Sequence, residues 1–388
     1  MVLEEEPMRR LLITAILLLA ILCLAAEQVV VSPYPNEVRL LNSNPNNMQL
    51  EFTLGSFDRQ PVNINGSTWY NLSLKKAGLT LETGLPQVPV MATSLIIPGT
   101  AAMQINTQAS EYVEMALHVA PSKGNLTRDI DPDSVPYTFA DFYQSTGSYP
   151  LETAYLTEPF ILRDYRGITV RFQPFVYYPA TGTLRVYTKM VLSVSSNGTD
   201  LTNAITTPKS TYSRYFEEIY QNMFLNFAQA KYPSLGEEGR ILVIKNSMFD
   251  TAIQPWVDWK RQIGFTVDVV DVDVAGPSAN QIKTYIQSQY DLNNGLMFVQ
   301  IVGDAPQVPS LSSGGGGSDP SFALLAGGDS YPDIYVGRFS AQTVAELETQ
   351  VLRSVHYERD IAVGADWIQK AFGIASTHGG GSQAHLGE

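Results

Sequence analysis

The chain has 388 residues, more than a single hydrophobic core usually serves, so two or more domains are expected. Its net charge of -13 excludes a nucleic-acid partner, which requires a basic face. Charged residues make up only 16% while there are 20 tyrosines and 29 glycines, the composition of an exported, strand-rich protein.

The N-terminal stretch MRRLLITAILLLAILCLAAEQ starts at Met8 with two arginines, runs apolar from Leu11 to Leu24, and ends at Ala25 and Ala26. This is the pattern of a secretory signal peptide, residues 1–26, with an extracellular or cell-surface destination. The run is shorter than the ~20 residues a membrane-spanning helix needs, and no later stretch is longer, so no transmembrane anchor is expected. Cys23, the sole cysteine, falls inside this segment. The remainder has no thiol for a disulfide, a zinc site or a nucleophile.

From Glu27 to about 204, short alternating segments (EVRLLN, MQLEFTL, TSLIIPGT, ITVRFQPFVYY, TLRVYTKMVLSVSS) are separated by turn residues such as Pro98-Gly99 and Thr181-Gly182. Period-two alternation predicts the half-buried strands of an antiparallel β-sandwich. Residues 205–238 form a linker with an amphipathic segment, YSRYFEEIYQNMFLNFAQA, followed by KYPSLGEEG. Its exposed Lys231-Tyr232-Pro233 suits proteolytic nicking.

From Gly239 the period changes. Compact apolar runs at 240–244, 265–272 and 296–302 alternate with helical patterns at 250–263, capped by Asp250, and 278–290, opened by Pro277-Ser278. A short strand at 334–336, a helix from Thr343 with Val344, Leu347, Val351 and Val355 on one stripe, and a strand at 372–375 follow. Strands alternating with helices of this length predict a mainly parallel sheet. The fold class is thus α+β multidomain: a sandwich, then an α/β subdomain over 239–388 that stops in a glycine-rich loop with few strands.

Within that subdomain, LLAGGDSYPDIYVGRFS places Asp329 and Asp333 in a glycine-rich loop, and Asp304 follows the 296–302 strand. Ligands collect at the carboxyl ends of parallel strands. Three acids in one small region repel unless a cation lies between them, and calcium accepts such carboxylates together with backbone carbonyls. The alternative is that each aspartate is a turn residue bonding its own backbone. GGGGS at 314–318 lacks the G-K-[ST] of a phosphate cradle.

VGDAPQVPS, the run SDPSFALLAGGDSYPDIYVGRFSAQTVAELETQVLRSVHYERD and W-x-x-x-A-F-G-I-A-S resemble the first half of the catalytic domain of gingipain-type cysteine peptidases, family C25. GLPQVPVMATSLIIPGT and EPFILRDYRGITVRFQPFVYYPATGTLRVYTKMVLSV resemble that family's propeptide. The resemblance covers most of residues 35 to 380. It implies a caspase-like catalytic subdomain, a propeptide acting as intramolecular inhibitor, protein or peptide substrates, and cleavage after basic residues. It also implies a structural calcium held by the side chains of Asp304, Asp329 and Asp333 and the carbonyls of Ala326 and Tyr331, with Asp333 replacing a frequent glutamate.

The family's T-G-H-G motif and following cysteine are absent here, so the catalytic pair is expected beyond Glu388 and this stretch should be inactive alone. His378, in STHGGG, reads as a loop residue. His356 reads as a helix-terminal residue, and His118 and His385 have no evident partner. Processing is expected at Lys231–Tyr232, with Arg240 as the alternative. Lys123 and Arg128, in PSKGNLTRD, are candidate pseudo-substrate residues as well as ordinary solvated charges. The competing readings are a non-enzymatic secreted module stiffened by calcium, for adhesion or secretion, and a nucleotide-binding domain, for which only the glycine clusters speak.

Overall fold

The computed structural model describes residues 26–127, 130–207, 211–234, 239–293 and 295–371. Residues 1–25 of the expected signal peptide, Cys23, Arg128, the strand expected at 372–375, His378 and His385 lie outside them.

The first domain runs through β1 (Glu27–Val30), β2 (Glu37–Asn44), β3 (Asn47–Thr53), β4 (Ser56–Ile64), β5 (Ser67–Ser73), β6 (Gly78–Leu79), β7 (Pro89–Ile96) and β8 (Ala101–Ala116). It continues through β9 (Ala154–Leu156), β10 (Phe160–Leu162), β11 (Tyr165–Phe172), β12 (Phe175–Tyr178) and β13 (Thr183–Thr199). Three antiparallel sheets result, ordered β1-β4-β5, β10-β11-β7-β6 with β9 beside β11, and β12-β13-β3-β2 with β8 beside β13. Alternation explains the packing. Along β13, Leu184, Val186, Met190, Leu192 and Val194 are buried with Met48, Leu50 and Phe52 of β3 in one core. Two elements fall outside the expected segments. β8 is a 16-residue strand whose exposed, polar residues gave no apolar alternation, and the β4–β5 hairpin turns on Asn65–Gly66, both at positive φ.

The described part of the linker, residues 211–234, is ordered rather than loose. A 3-10 turn at Arg214–Phe216 leads into α1 (Glu217–Met223) and α2 (Phe227–Ala230). Their Phe216, Tyr220, Phe224 and Phe227 share one buried cluster with Phe160, Leu162 and Tyr165 of the sandwich and Met297 of the second domain. Gly167 makes room for this: a Cβ there would lie 2.5 Å from the Phe160 ring and 2.6 Å from Phe224. Aromatic residues bring the largest apolar areas of any side chain to such an interface.

The second domain holds β14 (Arg240–Lys245), α3 (Gln254–Gln262), β15 (Thr266–Asp271), α4 (Val272–Ala275), α5 (Ala279–Asp291) and β16 (Leu296–Val302). A small hairpin of β17 (Ser312–Ser313) and β18 (Gly316–Gly317), then β19 (Tyr335–Phe339) and α6 (Val344–Arg359), complete it. The sheet is parallel, ordered β15-β14-β16-β19. Central β14 and β16 are buried almost throughout, which is why they read as unbroken apolar runs. Among the described residues β19 is a sheet edge, beside a groove of about 360 Å³ lined by Trp256, Phe298 and Phe339.

α6 starts where expected, with Thr343 and Glu346 forming a capping box, and Ser278 caps α5. α3 starts four residues later than Asp250 suggested. Pro255 is tolerated only in a first turn, so it fixes the start at Gln254, and Asp250 instead pairs with Lys245.

Candidate functional site

The three aspartates expected to converge do not. Asp304 follows β16 and accepts hydrogen bonds from Ser340 Oγ (3.0 Å) and Gln342 Nε2 (2.7 Å), both just past the carboxyl end of β19. Asp333 lies two residues before the amino end of β19. A five-residue strand rising about 3.3 Å per residue puts roughly 17 Å between its ends. Parallel pairing of β16 with β19 therefore sets Asp304 and Asp333 at opposite ends of the sheet. Among the described residues no three Asp, Glu, His or Cys side chains are gathered as metal ligands.

Asp329 and Asp333 form a different site, and the loop 320–333 explains how. Its entry, a 3-10 turn at Pro320–Ala323, is held from α5: the Lys283 ammonium donates to the carbonyls of Ser321 (3.0 Å), Phe322 (3.2 Å) and Leu324 (2.5 Å). Burial among these carbonyls lowers the Lys283 pKa. The chain then curls so that the amides of Leu325 and Ala326 donate to Asp333 Oδ2 at 2.8 and 2.7 Å.

The sandwich supplies the remaining donors. Arg163 N–H reaches Asp333 Oδ1 at 3.0 Å, and Arg163 Nη1 donates to the Asp333 carbonyl at 2.5 Å. Ile161 N–H reaches Asp329 Oδ2 at 2.7 Å, and Tyr331 N–H reaches Oδ1 at 2.9 Å. Asn203 accepts from Gly328 N–H (2.7 Å) while donating to the Pro159 carbonyl (2.9 Å). The rings of Phe160 and Tyr331 stack at 4.0 Å. Asp333 is fully buried, and burial pushes its carboxyl up to about 6 against the opposing pull of three amide donors.

This donor set does not fit calcium. All four carboxylate oxygens of Asp329 and Asp333 face N–H groups, those of Ile161, Arg163, Leu325, Ala326 and Tyr331. Asp304 stands apart. The site as arranged joins two domains through main-chain donors. Sequence reasoning missed Arg163 and Asn203; the one signal was Arg163-Asp164 between the apolar runs FIL and YRGITVRF, the mark of a tight hairpin.

Of the other expected residues, Lys231 is exposed at the end of α2, while Tyr232 stacks on Tyr165 (5.2 Å, 11°) and donates its N–H to the Tyr165 hydroxyl at 2.9 Å. Arg240 opens the central strand β14 and pairs with Asp268, a position that a protease cannot reach without dismantling the sheet. Lys123 is tied down within its own loop, donating to the Pro132 carbonyl at 2.7 Å and lying over Tyr137 at 4.3 Å. His356 lies near the end of α6, 3.7 Å from Asp360. His118 does have partners: Tyr177 Oη at 3.2 Å and the Trp69 ring at 5.2 Å.

Residues 28–231 match the family model Propeptide_C25, and residues 234–386 match Peptidase family C25. The chain belongs to peptidase family C25. It is 34% identical over 352 residues to gingipain R2 of Porphyromonas gingivalis strain W83, an alignment covering 89% of this chain and 48% of that protein. It is 25% identical over 358 residues to Lys-gingipain of the same species (strain ATCC 33277), covering 86% and 20%. The chain thus spans about half, or less, of the length of these C25 relatives. A solved complex of P. gingivalis RgpB pro- and mature domains overlays with a TM-score of 0.46 at 32% identity, over 50% of this chain and 100% of that one. The match boundary between 231 and 234 falls at the Lys231–Tyr232 segment, and α1 and α2 belong to the C25 propeptide.

Proposed function

We propose that this is the front part of a secreted, latent cysteine endopeptidase that cuts peptide bonds after basic residues, with the sandwich as its inhibitory propeptide. The single observation that carries the reading is the seating of the propeptide hairpin 159–165 on loop 325–333 of the peptidase domain, in a protein whose two halves match the C25 propeptide and peptidase models in that order. Basic specificity rests on the arginine- and lysine-named gingipains among the relatives. Secretion rests on the leader-like composition of residues 8–26, and among the described residues no helix is long and apolar enough to cross a membrane.

Thiol chemistry needs a cysteine, and residues 24–388 contain none, so the nucleophile belongs to the whole protein outside this stretch. Calcium belongs to this reading through family resemblance alone. With the propeptide seated, the Asp329 and Asp333 oxygens are already taken by amides. The test is an assay of the complete protein on peptides with Arg or Lys before the scissile bond, before cleavage at Lys231–Tyr232 and after cleavage followed by removal of the propeptide. Activity that appears once the cut propeptide is removed and is abolished by a thiol-alkylating reagent supports the proposal. A complete protein inert toward such peptides in both states would remove it in favour of a non-enzymatic secreted module.

A further inference from the structure

Arg163 sits at the tip of the two-residue turn between β10 and β11, at φ 47°, and is 8% exposed. A positive φ on a non-glycine residue is uncommon, and here it aims a cation out of the sandwich into the neighbouring domain. Its guanidinium lies 5.5 Å from the Phe216 ring and 6.0 Å from the Tyr290 ring of α5, with Nη1 on the Asp333 carbonyl. Its Nε is buried without a hydrogen-bond partner and stands 3.8 Å from Asp164 Oδ1. Asp164 is itself engaged, accepting from Ser213 N–H at 2.9 Å and from the Tyr220 hydroxyl at 2.8 Å.

We propose that Arg163 is the plug by which the propeptide grips the peptidase domain, and that Asp329 and Asp333 are its socket, closed to a metal ion while the plug is in. This deepens the reading of the sandwich as a propeptide and names the surface it uses. Three features converge on it. The contact matches donors to acceptors: the main-chain N–H groups of Ile161 and Arg163 meet the two carboxylates, and the guanidinium meets the Asp333 carbonyl. It is desolvated, since Arg163 and Asp333 are both buried. It is also conditional: when the propeptide leaves, Asp333 loses one of its three amide donors, Asp329 one of its two, and the Asp333 carbonyl its guanidinium partner. Losing these partners weakens the hold on a buried carboxylate, so the loop 325–333 is braced by the propeptide as well as by its own amides.

The test is hydrogen exchange on the full chain, comparing segments 159–163 and 325–333 with the sandwich strand 184–194. Arg163→Met, which keeps the bulk and removes the charge, should raise exchange in both interface segments by roughly tenfold or more while leaving 184–194 unchanged. Asp333→Asn should do the same, and the double variant should add little to either single one, as expected for two residues in one contact. Arg163→Lys, which keeps the charge without the planar fork, should recover part of the protection. Calcium chloride or a chelator should leave 325–333 unchanged in the unmodified chain.

Unchanged exchange at 325–333 in Arg163→Met would overturn the plug, and equal loosening of 184–194 would reassign Arg163 to sandwich stability. Deprotection of 325–333 by the chelator would overturn the closed socket. None of these readouts uses peptidase activity, so the plug can fail with the peptidase proposal intact, and the reverse.

Discussion

Arg163 and Arg166 stand three residues apart on one hairpin, both buried, and they do opposite things. Arg166 turns inward: Nε donates to the Asn203 carbonyl, Nη1 to those of Pro98 and Ala101, and Nη2 to those of Asp200 and Thr202 and to the Asp200 carboxylate. Burial lowers its pKa, yet every nitrogen has a partner inside its own domain. Arg163 turns outward, crosses a domain boundary and leaves one nitrogen without a hydrogen bond. The lesson is that a saturated cation serves the fold of its own domain, whereas Arg163 divides its contacts between two domains.

The sharpest way to break that comparison is Arg166→Met. Removing the cation orphans up to five carbonyls and leaves Asp200 without its buried partner, and a loss of about 3–5 kcal/mol is expected, seen as a lower urea midpoint for the sandwich. Asp333→Asn comes next. Its amide nitrogen must face an N–H donor whichever way it turns, which costs about 1–3 kcal/mol, felt in the docking of the domains rather than in the sandwich itself. If both variants destabilise the sandwich alike, the contrast between inward and outward arginines fails.

A smaller effect sharpens the linker side. Tyr232→Ala removes a stacked ring pair worth about 0.5–1.5 kcal/mol and should speed trypsin cleavage after Lys231 roughly three- to tenfold, read on a gel.

The smallest effect is a pH dependence within the peptidase domain. Arg338 holds the Asp319 carboxyl below its ordinary value, so the folded state binds this proton less readily than the unfolded chain. The stabilisation is therefore full above the ordinary carboxylate pKa and fades as pH falls through the lowered one. Asp319→Asn should lower the melting temperature at pH 6 more than at pH 3, and an equal drop at both would count against the pair.

How much of this was legible in the sequence follows the same division. Buried parallel strands announce themselves as apolar runs, so 240–244 and 296–302 were readable to within a residue, and the start of α6 at Thr343 was readable from its apolar stripe. Strand β8 was not, because its outward face is polar. The acids of the loop were visible, but their partners were not. Main-chain N–H groups of residues 161, 163, 325 and 326 have no side-chain signature. Grouping Asp304 with Asp329 and Asp333 followed closeness in the sequence, and the direction of β19 undid it.

The account stands on the sandwich being held to the peptidase domain by contacts other than the peptide linker. The most direct measurement is to cut the folded chain after Lys231 under native conditions and run the products through analytical ultracentrifugation at neutral pH. The account predicts one sedimenting species containing both pieces. Two separate species, each with its own domain, would contradict it.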